Sequence, residues 1–215
     1  MIEQAAAKRT GLTVSTMDKP SSFDAHDLTM RGGTIDYDRY APAYSGNRRA
    51  DQLIGARVHA ALGSSRTVVN VGAGAGSYEP RDRHVIAIEP SAGMRGQRPP
   101  KFAPAIDACA EALPLDDDSV DASMAIITVH HWRDPAAGLR EMRRVARGPV
   151  VVLTFDIDVL ADYWMIADYL PEALADDRTR FPSIETIVEI LGGASVETVP
   201  IPRDCTDGFF EAHYA

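Results

Sequence analysis

The chain has 215 residues, 45% of them hydrophobic and 25% charged, with 22 Lys plus Arg against 31 Asp plus Glu and a formal charge of −9. That is the size and balance of one soluble globular domain, and it excludes collagen-like, coiled-coil and mostly disordered chains. The acidic balance argues against a surface for nucleic acid, and no run of 18 apolar residues argues for a membrane span. Two cysteines, Cys109 and Cys205, make neither a disulfide framework nor a zinc spacing. No apolar signal core follows the first charges, so the expected location is cytoplasmic.

Residues 1–34 lack periodicity and are expected to form a flexible arm, with 35–215 a single domain. Ile35 to Gly46 carries Tyr37, Tyr40 and Tyr44, read either as an aromatic cap on the core or as a lid over a ligand. Helical spacing runs from Arg48 to Leu62 and stops at Gly63. Thr67–Val71 and His84–Ile88 read as buried strands, with a short helix from Ser91 to Arg98 after them. A third strand is expected near Pro104–Ala110 and a fourth over Asp121–Val129. Asp134 and Pro135 open a helix that reaches Arg147, where Gly148 ends it. Val150–Phe155 is a fifth strand. Val159–Ala175 is helical in pattern but broken by Pro171, and about 156–182 is expected to form a cap region. A helix then runs from Pro182 and Ser183 to Gly192, and Val196–Ile201 alternates as a sixth strand. The alternation of apolar strands with helices predicts an α/β fold, an open, mostly parallel Rossmann-like sheet with helices on both faces.

Such sheets bind ligands beyond the carboxyl ends of their strands. The first strand ends in Gly72-Ala73-Gly74-Ala75-Gly76, which lets the chain turn sharply with its N–H groups expected to face a ligand. Neither the dinucleotide GxGxxG register nor a terminal Gly-Lys-Ser/Thr is present. Glu79 and Asp82 would also repel a pyrophosphate. The second strand ends in Glu89, a pure acceptor suited to the two donors of a ribose diol. Asp116 to Asp118 reads as a solvated turn rather than a metal site, and Arg143, Arg144 and Arg147 as an ordinary solvated helix face.

Taken in order, VVNVGAGAGSYE, HVIAIEPS, CAEALPLDDDSVDASMAIITVHHWRD and VVVLTFD resemble the class I S-adenosylmethionine-dependent methyltransferases, over about Tyr37 to Phe210. The resemblance implies S-adenosylmethionine as cofactor and a small-molecule methyl acceptor as partner. It implies that Gly72, Ala73, Gly74 and Gly76 pass beneath the amino-acid end of the cofactor. Glu89 would take the ribose hydroxyls, Pro90 would border the adenine, and Cys109, Ala110 and Glu111 would pass its edge. Tyr37, Tyr44 and Arg48 would close the site, with Arg48 meeting the cofactor carboxylate. His130, His131 and Trp132 would stand beside the methyl group, one histidine serving as base where the nucleophile must lose a proton. Adjacent residues leaving a strand point opposite ways, so one of the two is expected to face the pocket. Tyr163 and Trp164, with Met165 and Tyr169, read either as a lid over a small organic substrate or as core packing.

Three departures from the family stand out. Asn70 replaces the usual acidic residue at the end of the first strand, and Cys109 replaces the usual Asp beside the adenine, with Asp107 as a stand-in on the same strand face. The 14 residues after Ile201 leave no room for the seventh strand of the family, which implies an exposed sheet edge and either marginal stability or pairing of two copies. These departures keep a second reading open, a non-catalytic cofactor-binding domain of the same fold. A nicotinamide-dependent oxidoreductase is the third, with the glycine spacing against it.

Overall fold

The computed structural model describes residues 48–162, 168 and 171–208. Four parallel strands make the sheet: β1 Thr67–Val71, β2 His84–Ile88, β3 Ala122–Ile126 and β4 Val150–Leu153, in the spatial order β2-β1-β3-β4. The register sets Asn70 opposite Ala87 on one side and Met124 on the other. β1 and β3 are buried almost throughout, because both of their faces are covered.

Alternate residues divide between two cores. Val68, Ala122, Met124 and Ile126 face helix α1 (Gln52–Ala61), where Ile54, Val58 and Leu62 are buried. Val69, Val71 and Ala125 face the other way, onto Leu139, Met142 and Val145 of helix α3 (Pro135–Val145). The short helix α2 spans Ala92–Gly96, α4 spans Ile157–Leu160, α5 Pro171–Arg180 and α6 Ile184–Ile190. The helices therefore sit on both faces of the sheet, as the alternation predicts. Asp51 caps α1, Ser91 caps α2, and Asp134 caps α3 with Pro135 in its first turn.

Several expected elements differ. The third strand shrinks to one parallel bridge, Ile106 beside Ile88. Pro104 has no N–H for a ladder, and Asp107 turns outward to Arg95 at 2.8 Å. The fourth strand stops at Ile126 because Ile127 has φ +52°, where no strand continues. No sixth strand forms at 196–201. Val199 and Ile201 still pack on the α1-side core, but Pro200 and Pro202 remove the donors that pairing requires. Among the described residues β4 is thus an edge strand. Pro171 stands at the first position of α5.

Arg144 and Arg147 do more than solvate a helix face. Arg144 reaches Glu141, Asp117 and the carbonyls of Leu113 and Leu115, fastening the acidic turn to α3. Arg147 holds Asp121, which also accepts the amides of Arg66 and Thr67 at the start of β1.

Candidate active site

The strand order reverses between β1 and β3, and a cleft of about 1780 Å³ opens at their carboxyl ends. Its floor is the glycine loop. Gly72 has φ +70°, and a Cβ there would lie 2.1 Å from Thr128 Oγ1, so the loop passes directly under the end of β3. Gly76 has φ +95°, and its Cβ position is taken by the Phe102 ring at 2.8 Å.

Four of the five loop amides are engaged within the chain instead of facing a ligand. Those of Gly72 and Ala73 donate to the Ile88 carbonyl, that of Gly74 to Glu89 Oε2 at 2.8 Å, and that of Gly76 to the Ala73 carbonyl. An anion such as pyrophosphate would find these donors already engaged. The loop supplies shape, and the neighbouring side chains supply acceptors.

Two acceptors stand out. Glu89 is buried, with Oε1 accepting from the Ser91 amide and Oε2 from the Gly74 amide. Burial pushes its carboxyl above the usual range, and the two amides partly offset this. Each oxygen keeps a lone pair for a further donor. Asn70 is buried and donates from Nδ2 to Glu79 Oε1 at 3.0 Å, while its Oδ1 has no donor among the described residues. Acceptors with lone pairs to spare suit a ligand rich in O–H and N–H groups. S-adenosylmethionine has an ammonium and a free ribose diol, so the acceptor set here fits it.

The structure brings most of the predicted residues together. Arg48, Asn70, Gly72, Ala73, Gly74, Gly76, Glu89, Pro90, Cys109, Ala110, Glu111, His130, His131 and Trp132 all line this one cleft. Tyr37, Tyr44, Tyr163 and Trp164 lie outside the described residues. Asp107 is not at the cleft, being held outward by Arg95, so it does not replace the missing Asp at Cys109. Arg48 lines the cleft, but its Nε lies 2.7 Å from Asp207 and its Nη2 also donates to that carboxylate. A cofactor carboxylate would have to compete with this buried partner.

The two histidines do not point opposite ways. Val129–His131 is a turn of 3-10 helix, so successive side chains rotate by about a third of a turn rather than a half. The two rings lie 3.8 Å apart, and His130 also stacks on Phe181 at 3.8 Å and 12°. His130 is buried and His131 half-buried. Trp132 lies against Gly138 of α3, where a Cβ would meet its ring at 2.4 Å and the Ala110 methyl at 3.1 Å. It therefore walls the cleft beside Ala110, on the side where the resemblance puts the adenine. The carboxylate of Glu111 accepts the Asp134 amide at 3.0 Å, which ties that wall to the cap of α3.

Sequence reasoning missed three features. Tyr78, with φ +63°, leaves the loop buried, donating its hydroxyl to Asp207 at 2.7 Å. Burial first, then Asp207, holds that phenol well above its usual range. Asp207, Arg48 and Asp51 thus staple the C-terminal segment to the entry of α1, with Thr206 donating to Asp51. Arg98 closes a second buried network with Glu79. Ile127, β-branched and left-handed, aims the histidine turn across the cleft at a strain of about 1–3 kcal/mol. Partners far apart in sequence carry no local signal, and neither Tyr78 nor Ile127 is a residue type that marks a left-handed turn.

Residues 69–152 match a family model described as a methyltransferase domain. Together with the strand order and the glycine floor, that decides the architecture. The fold is that of the class I S-adenosylmethionine-dependent methyltransferases. The matched segment is thus similar to methyltransferase domains, a kind whose cofactor is S-adenosylmethionine. An uncharacterized methyltransferase of Mycobacterium tuberculosis is 36% identical over 92 residues, which are 39% of this chain and 37% of that relative. The match thus spans well under half of the relative's length. A protein of Anabaena variabilis, assigned as a methyltransferase from an antibiotic biosynthesis pathway, is 29% identical with a TM-score of 0.67, covering 75% of this chain and 70% of its own. A Thermotoga maritima S-adenosylmethionine-dependent methyltransferase shares the fold at 21% identity and a TM-score of 0.54, over 73% of this chain and 77% of its own.

Proposed function

We propose that this chain transfers the methyl group of S-adenosylmethionine to a small organic acceptor by direct displacement. The observation that carries the reading is one cleft with the acceptor carboxylate Glu89 on its floor and His131 and Trp132 on its wall. Its volume of about 1780 Å³ exceeds the ~300–1,000 Å³ of a single-ligand pocket, so cofactor and acceptor have room together.

The bound cofactor supplies an electrophilic methyl group on a sulfonium, whose sulfur leaves neutral. No general acid is therefore needed, and the chain's work is placement in a dry site. Glu89 holds the ribose end, and the glycine loop permits close approach with no side chain between. Where the acceptor atom carries a proton, His131 is the base. It is half-buried at the cleft, whereas His130 is sandwiched between His131 and Phe181 and serves packing.

Calorimetric titration with S-adenosylmethionine, S-adenosylhomocysteine and NAD tests the cofactor. One-site binding of the first two and none of NAD is the expected result. Mass spectrometry of small-molecule acceptors mixed with protein and cofactor then tests transfer. Binding without any methylated product would favour the non-catalytic reading. Saturable NAD binding alone would overturn both. The edge strand β4 is the feature behind pairing of two copies, and light scattering showing a stable monomer would refute that pairing.

A further inference from the structure

The end of β1 carries an unusual buried cluster. Asn70 stands there with Nδ2 on Glu79 Oε1, and both side chains are buried. Arg98 Nη2 bridges both oxygens of Glu79 at 2.9 Å, with almost no exposure of either side chain. The rest of the guanidinium is also committed, Nη1 to the Gly74 carbonyl at 3.2 Å and Nε to the Ala103 carbonyl at 3.1 Å. Arg98 thereby fastens Glu79 to the glycine loop and to the segment before Ile106.

The chemistry of this cluster decides how the Asn70 amide is turned. A carboxylate only accepts, so the Asn70 NH₂ must face Glu79 and Oδ1 must face away. Asn70 lines the cleft, and Oδ1 is a buried acceptor with no donor among the described residues, a costly arrangement. A cationic N–H donor arriving in the cleft removes that cost.

We infer that Glu79, locked by Arg98, is a positioning residue that turns the Asn70 carboxamide so that its Oδ1 receives the ammonium of an amino-acid-bearing ligand. The inference rests on the proposed S-adenosylmethionine reading and deepens it. The carboxylate that would otherwise stand at position 70 is displaced to position 79, and the neutral amide relays its polarity. Glu79→Gln removes the discrimination, because a glutamine can offer either N–H₂ or oxygen to Asn70. The Asn70 amide can then turn over and present its own N–H₂ to the ammonium.

The test compares two ligands that differ at that end. S-adenosylhomocysteine carries the amino acid, whereas 5′-methylthioadenosine lacks it and keeps the nucleoside. By calorimetry, Glu79→Gln should lose about tenfold or more in affinity for S-adenosylhomocysteine, as for one charge-assisted hydrogen bond, with 5′-methylthioadenosine changed less than about threefold. Asn70→Ala leaves the Glu79–Arg98 pair in place and should show the same selective loss, so the test survives if Glu79→Gln does not fold. The exchange N70D/E79Q puts the acceptor-only group at position 70 and should restore the preference for S-adenosylhomocysteine. Equal losses for both ligands, an unchanged preference in Asn70→Ala, or no recovery in a folded exchange variant would overturn the inference. A wild-type chain that binds neither ligand would overturn the cofactor reading along with it.

Discussion

Gly72→Ala probes how closely the loop is fitted beneath β3. The new methyl would sit 2.1 Å from Thr128 Oγ1 and 2.9 Å from both its Cβ and Cγ2, on a backbone at φ +70°. The left-handed conformation costs a non-glycine residue about 1–2 kcal/mol. Forcing Thr128 aside in a packed site adds about 1–3 kcal/mol, for a total of about 2–5 kcal/mol. Gly63→Ala is the internal control, since φ is +56° there but nothing lies within 4 Å of the added methyl. It should cost about 1 kcal/mol, the strain being partly offset by a less flexible unfolded chain. Urea unfolding reads the difference directly. With an m-value of about 2 kcal/mol/M, Gly72→Ala should lower the midpoint by about 1–2.5 M and Gly63→Ala by about 0.5 M. Thr128→Ala in the Gly72→Ala background removes Oγ1 and Cγ2 and should recover part of the loss, visible as a coupling in the double-mutant cycle. Equal midpoints for Gly72→Ala and Gly63→Ala would refute the close fit of loop and strand.

Four further outcomes follow from the same geometry. Asp207→Asn leaves the Arg48 guanidinium without its buried carboxylate and should cost about 3–5 kcal/mol in denaturant unfolding, against about 1 kcal/mol for Tyr78→Phe. Similar losses for the two would show that Arg48 does not depend on Asp207. The Glu89 carboxyl titrates above the usual range, so its own stability contribution is present below that range and fades as pH rises through the shifted value. Ligand binding needs the ionised form and runs the other way. S-adenosylhomocysteine affinity should weaken as pH falls into the raised range, and a calorimetric profile no steeper than that of Glu89→Gln would refute this. Asp121 is held far below the usual range, chiefly by Arg147 and then by the Thr67 amide, so its stabilisation persists above the ordinary carboxylate range and is lost only in strong acid. Asp121→Asn should flatten the acid limb of a melting-temperature profile. His131→Ala should lower turnover without moving the melting temperature, whereas His130→Ala should lower the melting temperature because Phe181 loses its stacked partner; the reverse pattern would exchange their roles.

What the sequence determined on its own was whatever depends on neighbours in the chain. β1, β2, β3 and β4 are short apolar runs, each opening after a charged residue or Pro, and each lies inside its expected span. The caps Asp51, Ser91 and Asp134 act within a few residues and serve their own helices. The glycine loop and Glu89 could be placed because a strand end is a local event and the ligand side of a parallel sheet is its carboxyl edge. Where local pattern misled, one or two residues were enough. Ile127 cut the fourth strand short, and Pro200 with Pro202 turned an alternating run into a coil that packs without pairing.

Only the tertiary structure decided which polar groups meet. Glu79 reads as a wet residue after the glycines, yet Arg98 draws it into the interior, 19 residues away. Arg48 belongs to Asp207, 159 residues on, and no spacing rule reaches that far. The loop amides were expected to greet a ligand, but the carbonyl of Ile88 and the carboxylate of Glu89 take those of Gly72, Ala73 and Gly74 first. A buried donor or acceptor is costly until paired, so the fold settles these pairs as it closes. Which segments arrive at the cleft is a matter of strand order, and strand order is a global property of the packed chain.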